Sequence, residues 1–241
     1  MRSPDRLDPP RTELGRQLGF SEEDLPVLVQ ALTHPAFFEG SRHPKEGDNQ
    51  RLEFLGDAVL DLIAGDYLYR AYPEAQEGDL SKMRAFIVCE ASLAEAAVSL
   101  GVDKCLRLGH GSEAGGDRRR PSVLADAFEA VIGAVFICHG YAAARDLFLT
   151  QFKDKMDRLT PEDYEDKKSL LQEIVQARVP HGVSYKLLGS SGPDHAPTFE
   201  SAVYCGRLML GKGTGRSKKE SEVAAAAAAL QAKDGWLDEI E

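Results

Sequence analysis

The sequence predicts a large all-α module followed by a small α+β module of order α-β-β-β-α. Three observations predict it. The chain has 241 residues, 43 % hydrophobic and 28 % charged, enough for a core without staples and more than one small domain needs. Apolar residues recur at helical spacing as far as about residue 158, and a strand-like alternation occurs only beyond residue 184. Charge also changes sign along the chain. Residues 1–166 hold 19 Lys and Arg against 30 Asp and Glu, net −11, whereas residues 167–233 hold 10 against 5, net +5. A short tail from Asp234 adds 4 acids and no base. Such asymmetry suggests two modules with different partners. The expected boundaries are 1–160 for the helical domain, 161–166 for a polar linker containing Pro161, and 167–237 for the second domain.

The same composition excludes several classes. It is too apolar for wholesale disorder and has no fibrous repeat. Cys89, Cys105, Cys138 and Cys205 are scattered without a CxxC pair, which argues against a disulfide framework or a thiolate zinc site. No uninterrupted apolar run reaches the ~18 residues of a membrane span. The first ten residues, MRSPDRLDPP, contain no apolar signal core. The expectation is a soluble cytoplasmic protein in a reducing compartment, with no membrane partner.

Helices are predicted over residues 21–32, 51–71, 79–99, 121–138 and 141–158. Asp79 and Ser122 would cap their starts, and Gly101 and Gly140 would stop their ends. Two of these helices combine unusual apolarity with acids. Residues 51–63 carry Leu52, Phe54, Leu55, Val59, Leu60, Leu62 and Ile63, apolar on nearly every side, yet also Glu53 and Asp57, four apart on one face. Residues 121–138 are more apolar still, and their only charged residues are Asp126 and Glu129, three apart. A buried carboxylate costs several kcal/mol unless paired or coordinated. The second helix offers no cation and the first only Arg51. A hard divalent cation meets that need, and ligands that are all oxygen select Mg²⁺, with Mn²⁺ able to substitute. Mg²⁺ also bridges to phosphate oxygens, which points to phosphoryl chemistry. Two alternatives stay open: the acids line a solvated groove, or they pair with Arg118, Arg119 or Arg120. Helical isoprenoid synthases follow the same metal logic, but they carry clustered DDxxD runs that this chain lacks.

The second module begins with an amphipathic helix at 168–178, with Leu170, Leu171, Ile174 and Val175 inward. Strands follow at 184–188, 199–205 and 207–213, with Gly206 turning the last two, and a helix closes the module from about 217 to 232. Ser217 and Glu220 form a capping box. Lys218 and Lys219 lie inside it, and Arg216 and Lys212 precede it. The helix dipole disfavours cations in a first turn, so this arrangement suits a docked anion. The lead-in GKGTG lets backbone approach closely, and the whole reads as a phosphate clamp for a polyanion. Six alanines, Ala224 to Ala229, predict a strong helix with a flat, closely packing face.

Taken together, several blocks resemble a known family. NQRLEFLGDAVLDL (residues 49–62) looks like the signature of bacterial ribonuclease III, the double-stranded-RNA endonuclease. LTHPAF (32–37), EGDLSKMRA (77–85) and PSVLADAFEAVIGAVF (121–136) are similar to its other blocks, in order. LLQE (170–173), GPDHAPTF (192–199) and GTGRSKKESE (213–222) resemble a double-stranded-RNA-binding domain. The resemblance implies an all-α endonuclease domain followed by that binding domain. It implies Glu53, Asp126 and Glu129 as Mg²⁺ ligands, with Asp57 and Glu129 most directly tied to hydrolysis. Glu77 would be an accessory acid, and Phe54 would insert into a partner subunit of a homodimer. Gln50 stands where many relatives carry Glu, so a fifth carboxylate is missing there; its amide could still hydrogen-bond RNA. His34 has no evident partner, and a structural role is expected for it. In the binding domain, Ser169, Gln172 and Glu173 would face one minor groove, Pro193 and His195 the next, and Arg216, Lys218 and Lys219 the phosphates between them. The implied reaction is Mg²⁺-dependent hydrolysis of RNA duplexes to 5′-phosphate and 3′-hydroxyl ends with short 3′ overhangs, in processing of rRNA, mRNA and tRNA precursors. The alternatives are a catalytically inactive RNA-binding regulator and a phosphohydrolase of small molecules.

Overall fold

Hydrophobic periodicity becomes two separate cores in the computed structural model, which describes residues 9–38, 47–164, 166–193 and 197–240. The chain divides into two compact units, Met1–Tyr164 and Glu165–Glu241.

The first unit is helical. Its elements are α1 (Pro9–Gln17), α2 (Leu25–Ala31), α3 (Gln50–Ala71), α4 (Glu77–Ile87), α5 (Glu90–Leu100), α6 (Val102–Cys105), α7 (His110–Ala114), α8 (Pro121–Asp157) and α9 (Pro161–Tyr164). Short 3₁₀ turns occur at Pro35–Phe38 and Asp117–Arg119. The core centres on α3, α5 and α8, where Leu60, Ile63, Phe128, Ile132 and Phe148 are fully buried. α3 and α8 cross on two glycines. A Cβ on Gly56 would lie 1.8 Å from the carbonyl oxygen of Glu129, and one on Gly133 would lie 2.4 Å from that of Leu52. Only a missing side chain on each helix allows the backbones to touch.

α8 is interrupted where the sequence predicts a stop. Gly140 has φ 80° and ψ −179°, which breaks the helix into arms on either side. Among the described helices, α8 alone is long and apolar enough to cross a membrane by length and composition. Most of that stretch is buried within this unit. Gly101, with φ 78°, caps α5 in the left-handed conformation as expected.

Other expectations need correction. Residues 79–99 form two helices, because Val88 and Cys89 leave helical geometry, Cys89 being extended (φ −70°, ψ 154°). No Gly or Pro marks that break. Asp79 and Ser122 lie inside first turns, and the caps are Gln76 and Arg120. α1 precedes every predicted helix. Residues 161–164, expected in a linker, form α9. α3 is not buried all round: Phe54 is 80 % exposed and Leu62 59 % exposed.

The second unit comprises α10 (Lys167–Gln176), β1 (Ser184–Ser191), β2 (Thr198–Cys205), β3 (Leu208–Gly215), α11 (Lys218–Gln231) and α12 (Lys233–Trp236). The strands form one antiparallel sheet in the order β1-β2-β3. Leu171, Val175, Val203, Leu210 and Trp236 build its core. The alanine face of α11 lies on the glycines of β3, where a Cβ on Gly213 would be 2.2 Å from the amide of Ala225. β2 does not show the clean alternation expected. Ser201, Ala202 and Val203 are all buried. Val203 joins the core and Ser201 bonds the Ser221 hydroxyl at 2.7 Å. Ala202 pairs in register with Lys186 and Lys212, long side chains able to cover so small a neighbour.

Candidate active site

The glycine crossing brings the acids of α3 and α8 together. One carboxylate oxygen each from Glu53, Asp126 and Glu129 lies within 4.8 Å of the other two, and all three residues are half-buried. Among the described residues, none of the three is ion-paired to Lys or Arg. Two of the arginines proposed as alternative partners, Arg118 and Arg120, are engaged elsewhere. Arg118 binds Glu113 at 2.6 Å and the carbonyls of Asp103 and Leu106. Arg120 pairs with Asp117 at 2.8 Å.

Burial first, and neighbouring charge second, raise the carboxyl pKa values. Burial and then the neighbouring Asp57, Asp126, Glu53 and Asp61 push Glu129 up to about 8. Glu53 is raised by burial and then by Asp126, Asp48 and Asp57. Burial raises Asp126 as well, while His34 pulls it down and Glu90 pushes it up. Three mutually repelling, oxygen-only donors fit a hard divalent cation: its charge replaces the missing counter-ion and its coordination preference matches the donors. The donor set fits Mg²⁺ or Mn²⁺.

Asp57 stands apart from the tight trio. It is exposed, one turn beyond Glu53, and acts on both Glu53 and Glu129 through its charge. Gln50 opens α3 on the surface, its amide donating to Asp48 Oδ1 at 3.3 Å. Glu77 is exposed in the first turn of α4 and accepts a hydrogen bond from Ser81. It is absent from the groups that shift the trio. Phe54 points to solvent, in a stripe with Ala58 and Leu62.

Sequence reasoning missed part of the surroundings. His34 is half-buried, and its Nδ1 accepts the Ala36 amide at 3.2 Å. Asp61 extends the i,i+4 row from Glu53 through Asp57, a spacing that was available in the sequence. Asp48 and Glu90 come from other segments, and only the fold brings their charge to bear.

In the second unit, Asp166 caps α10, accepting from the Lys168 amide at 3.0 Å and the Ser169 hydroxyl at 2.8 Å. Gln172 is half-buried, and its Oε1 accepts the Val183 amide at 3.1 Å. Glu173 and Pro193 are exposed, and His195 lies outside the described residues. Arg216, Lys218 and Lys219 are exposed around the start of α11. Ser217 caps that helix by accepting the Glu220 amide at 3.1 Å. The Glu220 carboxylate reaches back to the Arg216 amide at 2.8 Å, one residue earlier than a strict capping box requires.

Fold and site together define a class: a helical domain with a carboxylate cluster suited to a hard metal ion, followed by a small α+β module with exposed cations at a helix start. Comparison with known proteins narrows it. Residues 24–156 match the family described as ribonuclease-III-like, and residues 167–233 match the double-stranded RNA binding motif. The chain is 50 % identical to Ribonuclease 3 of Moorella thermoacetica over 208 residues, 86 % of this chain and 88 % of that protein. It is also similar to the crystal structure of the nuclease domain of ribonuclease III from Campylobacter jejuni. The TM-score is 0.54 at 38 % identity, covering 62 % of this chain and 97 % of that one. A second structure of that domain, described for flexibility in a region involved in dimer formation, matches with TM-score 0.53 at 39 % identity, over 58 % of this chain and 97 % of that one. The chain belongs to the ribonuclease III family of endoribonucleases, with a nuclease domain followed by a double-stranded-RNA-binding domain.

Proposed function

We propose that this protein is a Mg²⁺-dependent endonuclease of RNA duplexes, with Mn²⁺ able to substitute, yielding 5′-phosphate and 3′-hydroxyl ends with short 3′ overhangs. The observation that carries this reading is the convergence of Glu53, Asp126 and Glu129 without a Lys or Arg counter-ion among the described residues. Those three would hold the ion. When bound, it supplies Lewis acidity and positive charge against the charge that grows on the phosphodiester. Glu129, the most strongly perturbed of the trio, gives up its proton as the site is loaded. Asp57, exposed beside them, is suited to orient the attacking water and accept its proton. Gln50 and Glu77 are accessory, Gln50 through its amide and Glu77 through the acidic rim of α4.

The second module supplies affinity. Ser169, Gln172 and Glu173 would lie along one minor groove and Pro193 with His195 along the next. Arg216, Lys218 and Lys219 would hold the phosphates between, reading A-form shape rather than sequence. A homodimer formed through Phe54 and the exposed apolar stripe of α3 would align two sites across one duplex, each cutting one strand. The 80 % exposure of so large an aromatic supports a covered interface. Precursors of rRNA, and also of mRNA and tRNA, are the proposed substrates. The four free cysteines fit a reducing cytoplasm.

The test is incubation of an end-labelled RNA duplex with the full chain in Mg²⁺, Ca²⁺ or chelator. Cleavage confined to Mg²⁺ or Mn²⁺, with 5′-phosphate products, is expected. Duplex binding with no cleavage under any metal would instead identify an inactive RNA-binding regulator.

A further inference from the structure

A cleft of about 720 Å³ in the second unit separates Ser169, Gln172 and Glu173 on α10 from Lys219 and Val223 on α11. Lys168 and Tyr185 also line it, and with Glu222 they form a trio without a role in the RNA contacts proposed above. Lys168 Nζ lies 2.7 Å from Glu222 Oε2, and both side chains are largely shielded from solvent. The same ammonium sits 4.3 Å from the ring centroid of Tyr185 on β1. The Tyr185 hydroxyl is enclosed without a hydrogen-bond partner, and burial first, then Asp166 and Glu222, hold its pKa at about 12. One cation on α10 therefore contacts both β1 and α11.

We propose that Lys168 and Glu222 are positioning residues for duplex binding, their ion pair on Tyr185 fixing the spacing between the α10 face and the basic first turn of α11. The inference rests on the double-stranded-RNA reading of this module. Lys168 looks at first like one more phosphate contact, since it lies among basic residues beside the cleft. Its charge, however, is cancelled by Glu222 at contact distance, so the pair adds no net attraction for a polyanion. What the pair adds is geometry. A duplex presents a minor groove and the phosphates of the adjoining major groove at a fixed separation, and a surface that meets both must hold its two contact elements at that separation.

Opposite signs distinguish the two roles. Glu222→Gln removes a negative charge beside the RNA face. If Lys168 touched phosphate, freeing it would tighten binding; if the pair positions the helices, binding weakens. The experiment measures affinity of the full chain for a labelled duplex in Ca²⁺ across a salt series, at a temperature where thermal melts show every variant folded. Glu222→Gln and Lys168→Met are each expected to weaken binding roughly three- to tenfold, and the double variant no more than either alone. The slope of affinity against salt stays that of the unsubstituted chain. Lys168→Arg restores most of the affinity, and in Mg²⁺ the loss falls on KM rather than kcat. Glu222→Asp, which keeps the charge but shortens the reach, also weakens binding and serves if another variant fails to fold. Tighter binding by Glu222→Gln, or a slope reduced by about 0.9 in Lys168→Met, would overturn the proposal in favour of a phosphate contact. Unchanged affinity in all folded variants would overturn it in favour of a purely structural pair. If the unsubstituted chain itself shows no salt-dependent duplex binding, the RNA reading fails first.

Discussion

The two units handle charge in opposite ways. The nuclease unit gathers like charges and partly buries them, so Glu129 keeps its proton up to about 8 until a ligand arrives. The RNA-binding unit spreads Arg216, Lys218 and Lys219 in solvent at a helix start, where each is screened. The difference is between selectivity and affinity. A shielded cluster discriminates among ions because few species can repay its desolvation. An exposed cluster attracts any polyanion, and does so less as salt rises.

That contrast can be broken first at the glycine crossing. Gly56→Ala would place a methyl carbon 1.8 Å from a backbone oxygen, so the helices must separate. We expect a loss of roughly 3 kcal/mol in the nuclease unit, read as a lower melting temperature, with the RNA-binding unit melting unchanged. Next comes Glu129→Gln. Outer-shell partners of metal ligands cost 10–100-fold when removed, so loss of a ligand should cost at least about 100-fold in cleavage at limiting Mg²⁺. Duplex binding in Ca²⁺ should barely move. A Glu129→Gln protein that cuts at the normal rate would remove the carboxylate site from the mechanism. Smaller again is Lys218→Gln with Lys219→Gln: affinity falls about tenfold near 0.1 M salt and the salt slope by roughly 1.8, with kcat retained. The smallest effect is on pH. Folded Glu129 holds its proton up to about 8, while unfolded it releases it near its ordinary 4.5. Between those values the folded state binds the extra proton, so in chelator the nuclease unit should lose thermal stability as pH rises from 5 toward 8. Mg²⁺ should abolish that slope, and Glu129→Gln should reduce it without metal, leaving the part due to Glu53 and Asp126.

Much of this was legible in the sequence, and the parts that were not share a cause. Acids isolated in apolar helices pointed to Glu53, Asp126 and Glu129, whose carboxylates the fold brings within 4.8 Å of one another. The same reasoning misplaced Asp57, which is exposed. Apolarity on every side of α3 meant two faces, one on the core and one open at Phe54 and Leu62. Periodicity alone does not tell a core from an uncovered interface. The break at Val88 and Cys89 carried no Gly or Pro to mark it in the sequence. Lys168 and Glu222 stand 54 residues apart and meet only when α10 and α11 pack together.

The backbone contact at Gly56 and Gly133 has one more consequence. The gap between the two pairs of acids is set by peptide groups in van der Waals contact, not by the sizes of neighbouring aliphatic side chains. Exchanging a leucine for a methionine elsewhere in that unit should therefore shift its heat tolerance while leaving the preference among cations where it was.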